Sequence, residues 1–122
     1  MSSDPVIVPA SQQLAEDYFG GRPPYSFRGF VSIQDGKATG VTGVFRAYGR
    51  MWAFSGMKEP LRPYRKARVQ AVKTLVQLLD ALPCPVYATA DPNEETAPHL
   101  LARLGFVKTG EYLDGNEILR RS

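Results

Sequence analysis

The sequence predicts one mixed α/β domain, in which an antiparallel meander leads into a strand, a basic loop and a long helix. Three observations predict it. Residues 27–56 carry strand periodicity and are cut by the turn pairs Asp35-Gly36 and Tyr48-Gly49, a pattern of short strands joined by tight turns. Beyond Tyr64, Val69, Val72, Val76, Leu79 and Leu82 recur every three or four residues, which marks a helix with one buried stripe. Helical crossovers then separate strand-like stretches at 50–56, 86–90 and 107–113, so a parallel pair joins an otherwise antiparallel sheet.

Taken in order, residues 5–10 (PVIVPA) are a short β-rich run bounded by prolines, suited to an edge strand because proline cannot donate to a central ladder. Ser11 is positioned to cap a helix over 12–19, which Gly20-Gly21 end. Arg22-Pro23-Pro24 is a stiff connector. A strand over 27–34 places Phe27, Gly29, Val31 and Ile33 on one face. Asp35-Gly36 turns it into a strand over 38–47, where Gly40 and Gly43 mark bulges or the close approach of a neighbour. Tyr48-Gly49 leads to a third strand, 50–56, whose Trp52 and Phe54 share a core face. Pro83-Cys84-Pro85 ends the long helix, and 86–90 (VYATA) reads as a buried strand broken by Asp91-Pro92-Asn93. Thr96 is the expected cap of a helix reaching Leu104, and Gly105 ends it. Residues 107–113 and 116–120 form a last hairpin about Asp114-Gly115. The expected order is β-α-β-β-β-α-β-α-β-β.

With 122 residues the chain fits a single domain, 1–122, with a core that needs no staples. The single cysteine, Cys84, excludes an internal disulfide framework and a zinc cluster, and reads as a small buried apolar residue. No apolar run reaches the roughly 20 residues that span a bilayer, and the N-terminus does not read as a signal peptide. A reducing, cytoplasmic compartment is expected, with no membrane partner. A net charge of +3 is too small to argue for nucleic acid unless it is clustered.

It is clustered at one place. Arg62, Arg65, Lys66, Arg68 and Lys73 lie in the loop and first turns of the long helix. Cations and free backbone N–H groups at a helix start make an anion site, but a solvated helix face explains the same residues. A small basic nucleic-acid-binding domain is the weakest reading, since only Tyr64 is interleaved as an aromatic. His99, the only histidine, falls in the first turn of the last helix, where exposure is expected. No P-loop, Ser/His/Asp or metal-ligand pattern occurs.

The order of elements, with APHLLARLGF over 97–106 followed by the strand from Lys108 to Tyr112, resembles the GNAT N-acetyltransferases. Ala97, Leu101, Gly105 and Phe106 match that family's recurring helix ending. The resemblance spans nearly the whole chain in topology and is motif-specific from about Ser55 onward. It implies a GNAT-like mixed central sheet and an acetyl-CoA-dependent N-acetyltransferase acting on an amine. The pantetheine arm of acetyl-CoA would lie between diverging strands, against backbone groups of Phe54, Ser55, Gly56 and Met57, which would also polarise the thioester carbonyl. Arg62, Arg65, Lys66 and Ala67 would hold the diphosphate, with Asn93 also at the cofactor. Asp91 or Glu94 would act as base, and Tyr112 as acid.

The chain departs from that family at two points. In the loop pattern Q/R-x-x-G-x-G/A, aligned on 62–67, Arg62 and Ala67 match but Arg65 replaces the central glycine, and Pro63 removes an N–H donor. At the position of the family's acidic tyrosine stands Leu101. Small phage-encoded GNAT-like proteins are similar in both respects. That likeness implies the alternative, a catalytically inactive structural or interaction protein of the same fold, virion-associated, with a protein partner or a second copy of itself.

Overall fold

The computed structural model describes residues 4–90 and 97–122. The elements are β1 (Val6–Pro9), α1 (Gln12–Phe19), β2 (Phe27–Gln34), β3 (Lys37–Ala47), β4 (Arg50–Met57), α2 (Arg65–Asp80), β5 (Val86–Thr89), α3 (Ala97–Arg103), β6 (Val107–Leu113) and β7 (Asn116–Arg121). Their order is the one expected, with one addition, a single 3-10 turn at Glu59–Leu61 between β4 and α2. The strands form one mixed sheet in the order β1-β2-β3-β4-β5-β7-β6, with β4 and β5 the parallel pair.

Local chemistry sets the turns. Asp35-Gly36, Tyr48-Gly49 and Asp114-Gly115 each carry two consecutive positive φ angles, which matches the twist of the strands they join. Ser11 caps α1 by accepting from the Leu14 N–H, and Gly20, at φ 71°, ends it. Gly105 (φ 91°) ends α3. Thr96, the expected cap of α3, lies outside the described residues. β1 with its proline is an edge strand.

The glycines of the meander are matters of space. Gly29 and Gly43 face each other across β2 and β3, and a Cβ on either would overlap the opposing backbone. Thr39 is the extra residue where the register shifts between Ser32 and Ile33. Beside it, a Cβ on Gly40 would stand 2.5 Å from Leu61 Cδ2.

Register divides the sheet into two faces, because directly paired residues share a side. On one side Val31, Val41 and Phe54 pack under α1 with Leu14, Tyr18 and Phe19. On the other, Val44, Val86, Ala88 and Phe106 form a core with Leu75 and Leu79 of α2. The buried stripe of α2 keeps Leu79 of the expected residues but is turned toward Leu75. Its buried residues are Thr74, Leu75 and Leu79, and Val69 is 45% exposed. At 100° per residue Val69 lies roughly 80° around the helix from Leu79, on the side away from Leu75, so it falls at the rim. Cys84 is a half-buried free thiol.

Candidate functional site

The two edges of β4 are treated differently. Against β3 it pairs at eight positions, from Gly40 opposite Met57 to Ala47 opposite Arg50. Against β5 it pairs at two, Met51 opposite Val86 and Trp52 opposite Tyr87. Beyond them the strands part, and β5 continues instead along β7 as far as Thr89 opposite Ile118. Alternation along the β3–β4 ladder determines which backbone groups face the gap. Lys58 N donates to Thr39 O at 2.8 Å, and successive residues of an antiparallel ladder point their N–H and C=O to opposite sides. Gly56 and Phe54 therefore bond β3, while Ala53, Ser55 and Met57 turn their backbone groups toward the opening. Of the four β4 residues expected at a cofactor, Ser55 and Met57 turn backbone donors and acceptors to the opening, whereas Phe54 and Gly56 turn theirs to β3, and on the α1 face the Phe54 ring packs among aromatics and Tyr18 lies over Gly56.

The loop beyond β4 is pinned by one apolar residue. Leu61, 3% exposed, plugs onto Gly40. Successive bonds from Leu61 N to Lys58 O, Arg62 N to Glu59 O and Tyr64 N to Leu61 O wind the chain into α2. Arg62 pairs with Glu59 at 2.9 Å. Arg65 opens α2, and at the Tyr64 cap position there is no side-chain capping bond to the helix. The first-turn N–H groups of Lys66 and Ala67 have no backbone partner among the described residues, as the geometry of a helix start dictates. The side chains of Arg65, Lys66 and Arg68 are exposed. The helix start can thus meet an anion through two N–H groups, the dipole and exposed cations.

An aromatic layer covers the α1 side of β4. Tyr25 stacks on Phe45 at 3.8 Å and meets Phe54 edge-on at 5.3 Å, while Phe27 meets Phe54 at 5.0 Å. Tyr18 packs over Gly56, with the Lys58 ammonium 4.8 Å from its ring centroid. Burial pushes the Tyr18 phenol above its ordinary value. It does the same to Tyr25, helped by the neighbouring Tyr18.

Tyr112 is not brought to this place. It lies on β6, 66% exposed, and β7 separates that strand from β5. Two strand spacings, roughly 10 Å, therefore stand between Tyr112 and β5. Tyr87 lies on β5 with Arg50 stacked on its ring at 4.3 Å. Arg50 in turn holds Glu111 of β6 at 2.9 Å, and this hydrogen bond keeps the Glu111 carboxyl below its ordinary value. Leu101 is half-buried and packs against the α2-side core, so α3 presents no phenol there. His99 is exposed. Asp91, Asn93 and Glu94 lie outside the described residues. Among the described residues no cluster of acidic, histidine or cysteine side chains could hold a metal.

Three contributors were not foreseen: Leu61, Asp17 and Tyr18. An isolated leucine in a loop of charged residues and prolines is a signal for an anchor. Asp17, whose Oδ2 accepts from Ala38 N at 2.7 Å, and Tyr18 gave no comparable signal, because helix periodicity alone does not reveal what lies beneath the helix.

No family model matches the chain, and no curated protein matches it in sequence. Its fold is nevertheless that of the GNAT acetyltransferases. It is similar to an acyl-CoA N-acyltransferase from Pseudomonas aeruginosa (TM-score 0.64, 16% identity, 98% of this chain and 99% of that one). It is similar also to an Arabidopsis thaliana protein solved in complex with the bisubstrate analogue CoA-Ac-MVNAL (TM-score 0.63, 12% identity, 98% and 99%). A GNAT-family acetyltransferase from Streptococcus pneumoniae matches over 96% of this chain and 98% of that one, with a TM-score of 0.62 and 11% identity.

Proposed function

We propose that this chain binds acetyl-CoA and transfers its acetyl group to an amine. The observation that carries the reading is the β4–β5 opening, where the outward backbone groups of Ala53, Ser55 and Met57 line a gap between strands paired at only two positions. An extended amide-bearing arm fits such an edge as an added strand would. The arm would bond Ser55 and Met57, and the diphosphate would meet the Lys66 and Ala67 N–H groups with Arg65 and Lys66. Arg62 already pairs with Glu59, so it would contribute by exchanging that partner. Pro63 offers no N–H, and the exposed guanidinium of Arg65 supplies charge where a glycine would supply close backbone approach.

In the transfer the amine nitrogen attacks the thioester carbonyl carbon, and an outward N–H of β4 polarises the carbonyl oxygen. The carbon–sulfur bond breaks with its electron pair going to sulfur, and sulfur gains a proton equivalent to the one the amine loses. Asp91 or Glu94 would accept the amine's proton.

Isothermal titration calorimetry with acetyl-CoA tests the reading. Micromolar binding is expected, and replacing Arg65 and Lys66 together by alanine should weaken it about tenfold. Absence of binding at millimolar acetyl-CoA would sink the proposal. A second reading, a binding or structural protein of this fold without catalysis, is favoured by one observation, that Leu101 is a core residue. Tight CoA binding with no acetyl-CoA turnover across a panel of amines, polyamines and peptide N-termini would favour it.

A further inference from the structure

We infer that the amine acceptor carries an anionic group, in its simplest form a carboxylate, and lies over Tyr87 with that group held by Arg120 and by the guanidinium of Arg50. The inference rests on the reading that the β4–β5 opening takes acetyl-CoA, and it names the class of acceptor.

The side from which an acceptor arrives follows from the sheet. The wide end of the opening leads to the start of α2, where a diphosphate would be met, so the thioester end of the arm belongs at the narrow end. There Trp52 opposite Tyr87 is the last pair of β4 and β5 before the strands part. On the α2 side this place is closed by core, since Val86, Ala88 and Phe106 are buried and Leu101 of α3 packs against them. On the other side α1 packs over β3, while Tyr87 is only half-buried and Arg120 is exposed. Tyr87 pairs with Arg120 of β7, and Arg120 with Val107 of β6. Directly paired residues share a side, so one row of side chains runs outward from the narrow end, as far as the 63% exposed Val107. An amine that reaches the thioester crosses this row.

The charges along the row do not cancel. Arg50 lies 4.3 Å from the Tyr87 ring centroid and holds Glu111 in a fork of 2.9 and 3.4 Å. Glu111 comes from β6, with β7 and β5 in between, and a bulge aims it there. The register shifts between Lys108 and Tyr112, and Gly110 takes φ 79°. Thr109 Oγ1 accepts from Glu111 N at 3.1 Å and donates to Ile118 O at 2.7 Å. With side chains 32% and 53% exposed, the Arg50–Glu111 pair adds little to stability, whereas bulges re-aim side chains beside functional sites. That pair uses one charge of each sign. The Arg120 side chain has no ion pair or hydrogen bond among the described residues. Around Tyr87 the described residues therefore leave one positive charge over. Beside it stands a guanidinium already shaped to a carboxylate, which a ligand's carboxylate can share with Glu111 or take over.

Calorimetry on the protein loaded with CoA tests this, with ω-amino acids of two to six carbons titrated against n-alkylamines of the same length at constant ionic strength. At one length at least, the amino acid is expected to bind about tenfold more tightly than its amine. Arg120→Gln should remove most of that preference. Glu111→Gln leaves Arg50 without its internal anion and should enlarge it, and these opposite signs separate a binding role from damage to the fold. No preference at any length would overturn the inference and leave the functional reading standing. So would a preference that Arg120→Gln leaves intact, or one that Glu111→Gln fails to raise. Protein that binds acetyl-CoA but no compound of either series would overturn it likewise. Absence of acetyl-CoA binding would overturn the functional reading and the inference together.

Discussion

β4 has one closed edge and one open edge, and the two differ in how the chain reaches the neighbouring strand. β3 is joined to β4 by the two residues Tyr48-Gly49, so register is set by the turn and every position pairs to the end of β4. β5 is reached only after a loop, the sixteen residues of α2 and a proline-flanked connector. Nothing local holds β5 beside β4, and its partner for most of its length is β7. A tight hairpin uses up the backbone groups of both strands. A helical crossover lets two parallel strands start together and then separate, which leaves donors and acceptors for something else. The same strand thus contributes to the stability of the meander on one side and leaves backbone groups unpaired by β5 on the other.

The largest expected effect comes from breaking the closed edge. Gly43 lies opposite Phe54 on β4 and Gly29 on β2, and a Cβ there would overlap the Arg28 carbonyl. Backbone cannot swing aside as a flexible side chain does. Gly43→Ala should therefore destabilise by about 3 kcal/mol or more, read as a lower urea midpoint. Stability within 0.5 kcal/mol, roughly the level of a neutral surface change, would show that the ladder can slide.

Native-state hydrogen exchange sharpens the comparison residue by residue. The amides of Phe54 and Gly56 should exchange on the order of a hundredfold more slowly than those of Ser55 and Met57. Acetyl-CoA should then slow Ser55 and Met57 selectively. Alternation of this kind cannot arise if β4 and β5 pair along their length, so uniform protection from Ala53 to Met57 would refute the open edge.

The aromatic layer over β4 gives a pH test. Burial raises the Tyr18 and Tyr25 phenols from 10.0 in the folded chain. The folded state therefore binds these protons more tightly than the unfolded state does. Their contribution is present in full below the ordinary phenol value and is lost as pH rises through the raised values. The urea midpoint of the wild type should fall as pH rises above 10, and should fall less in the Tyr18→Phe, Tyr25→Phe double variant. An identical fall in both would assign the loss to other groups.

The contrast between the edges also explains what the sequence could reveal. Hairpins announce themselves, because Asp35-Gly36, Tyr48-Gly49 and Asp114-Gly115 must carry positive φ and the residues that tolerate it are few. Hence the whole order of elements was legible, and so was the edge position of β1. The divergence of β4 and β5 has no comparable residue signature. It follows from how far α2 carries the chain and from the pairing of β5 with β7, both of which are tertiary facts. It entered only through the family resemblance. The stripe of α2 read from Val69, Val72, Val76, Leu79 and Leu82 holds at Leu79 and Leu82 but misses Thr74 and Leu75 and includes the exposed Val69, because periodicity gives a face only to within a sector. Tyr18 was invisible for the opposite reason. Its significance depends on Gly56, thirty-eight residues away.

The smallest effect concerns the turn that closes the good edge. Tyr48 adopts φ 52° and is 82% exposed, so its side chain gains little from packing while its backbone sits in the left-handed region. For an ordinary L-residue that region costs roughly 1–2 kcal/mol, and asparagine tolerates it better. Tyr48→Asn should stabilise by about 0.5–1 kcal/mol, seen as a raised melting temperature with unchanged acetyl-CoA affinity. The hairpin has a second clasp, the Trp52 indole N–H donating to Ala47 O at 2.9 Å, and this keeps the gain small by holding the turn whichever residue occupies position 48. If Tyr48→Asn lowers the melting temperature, the exposed ring makes a contribution that outweighs its strained backbone. If it raises the melting temperature but also changes acetyl-CoA affinity, the two edges of β4 are coupled through the strand, and their separation into a structural side and a binding side is wrong.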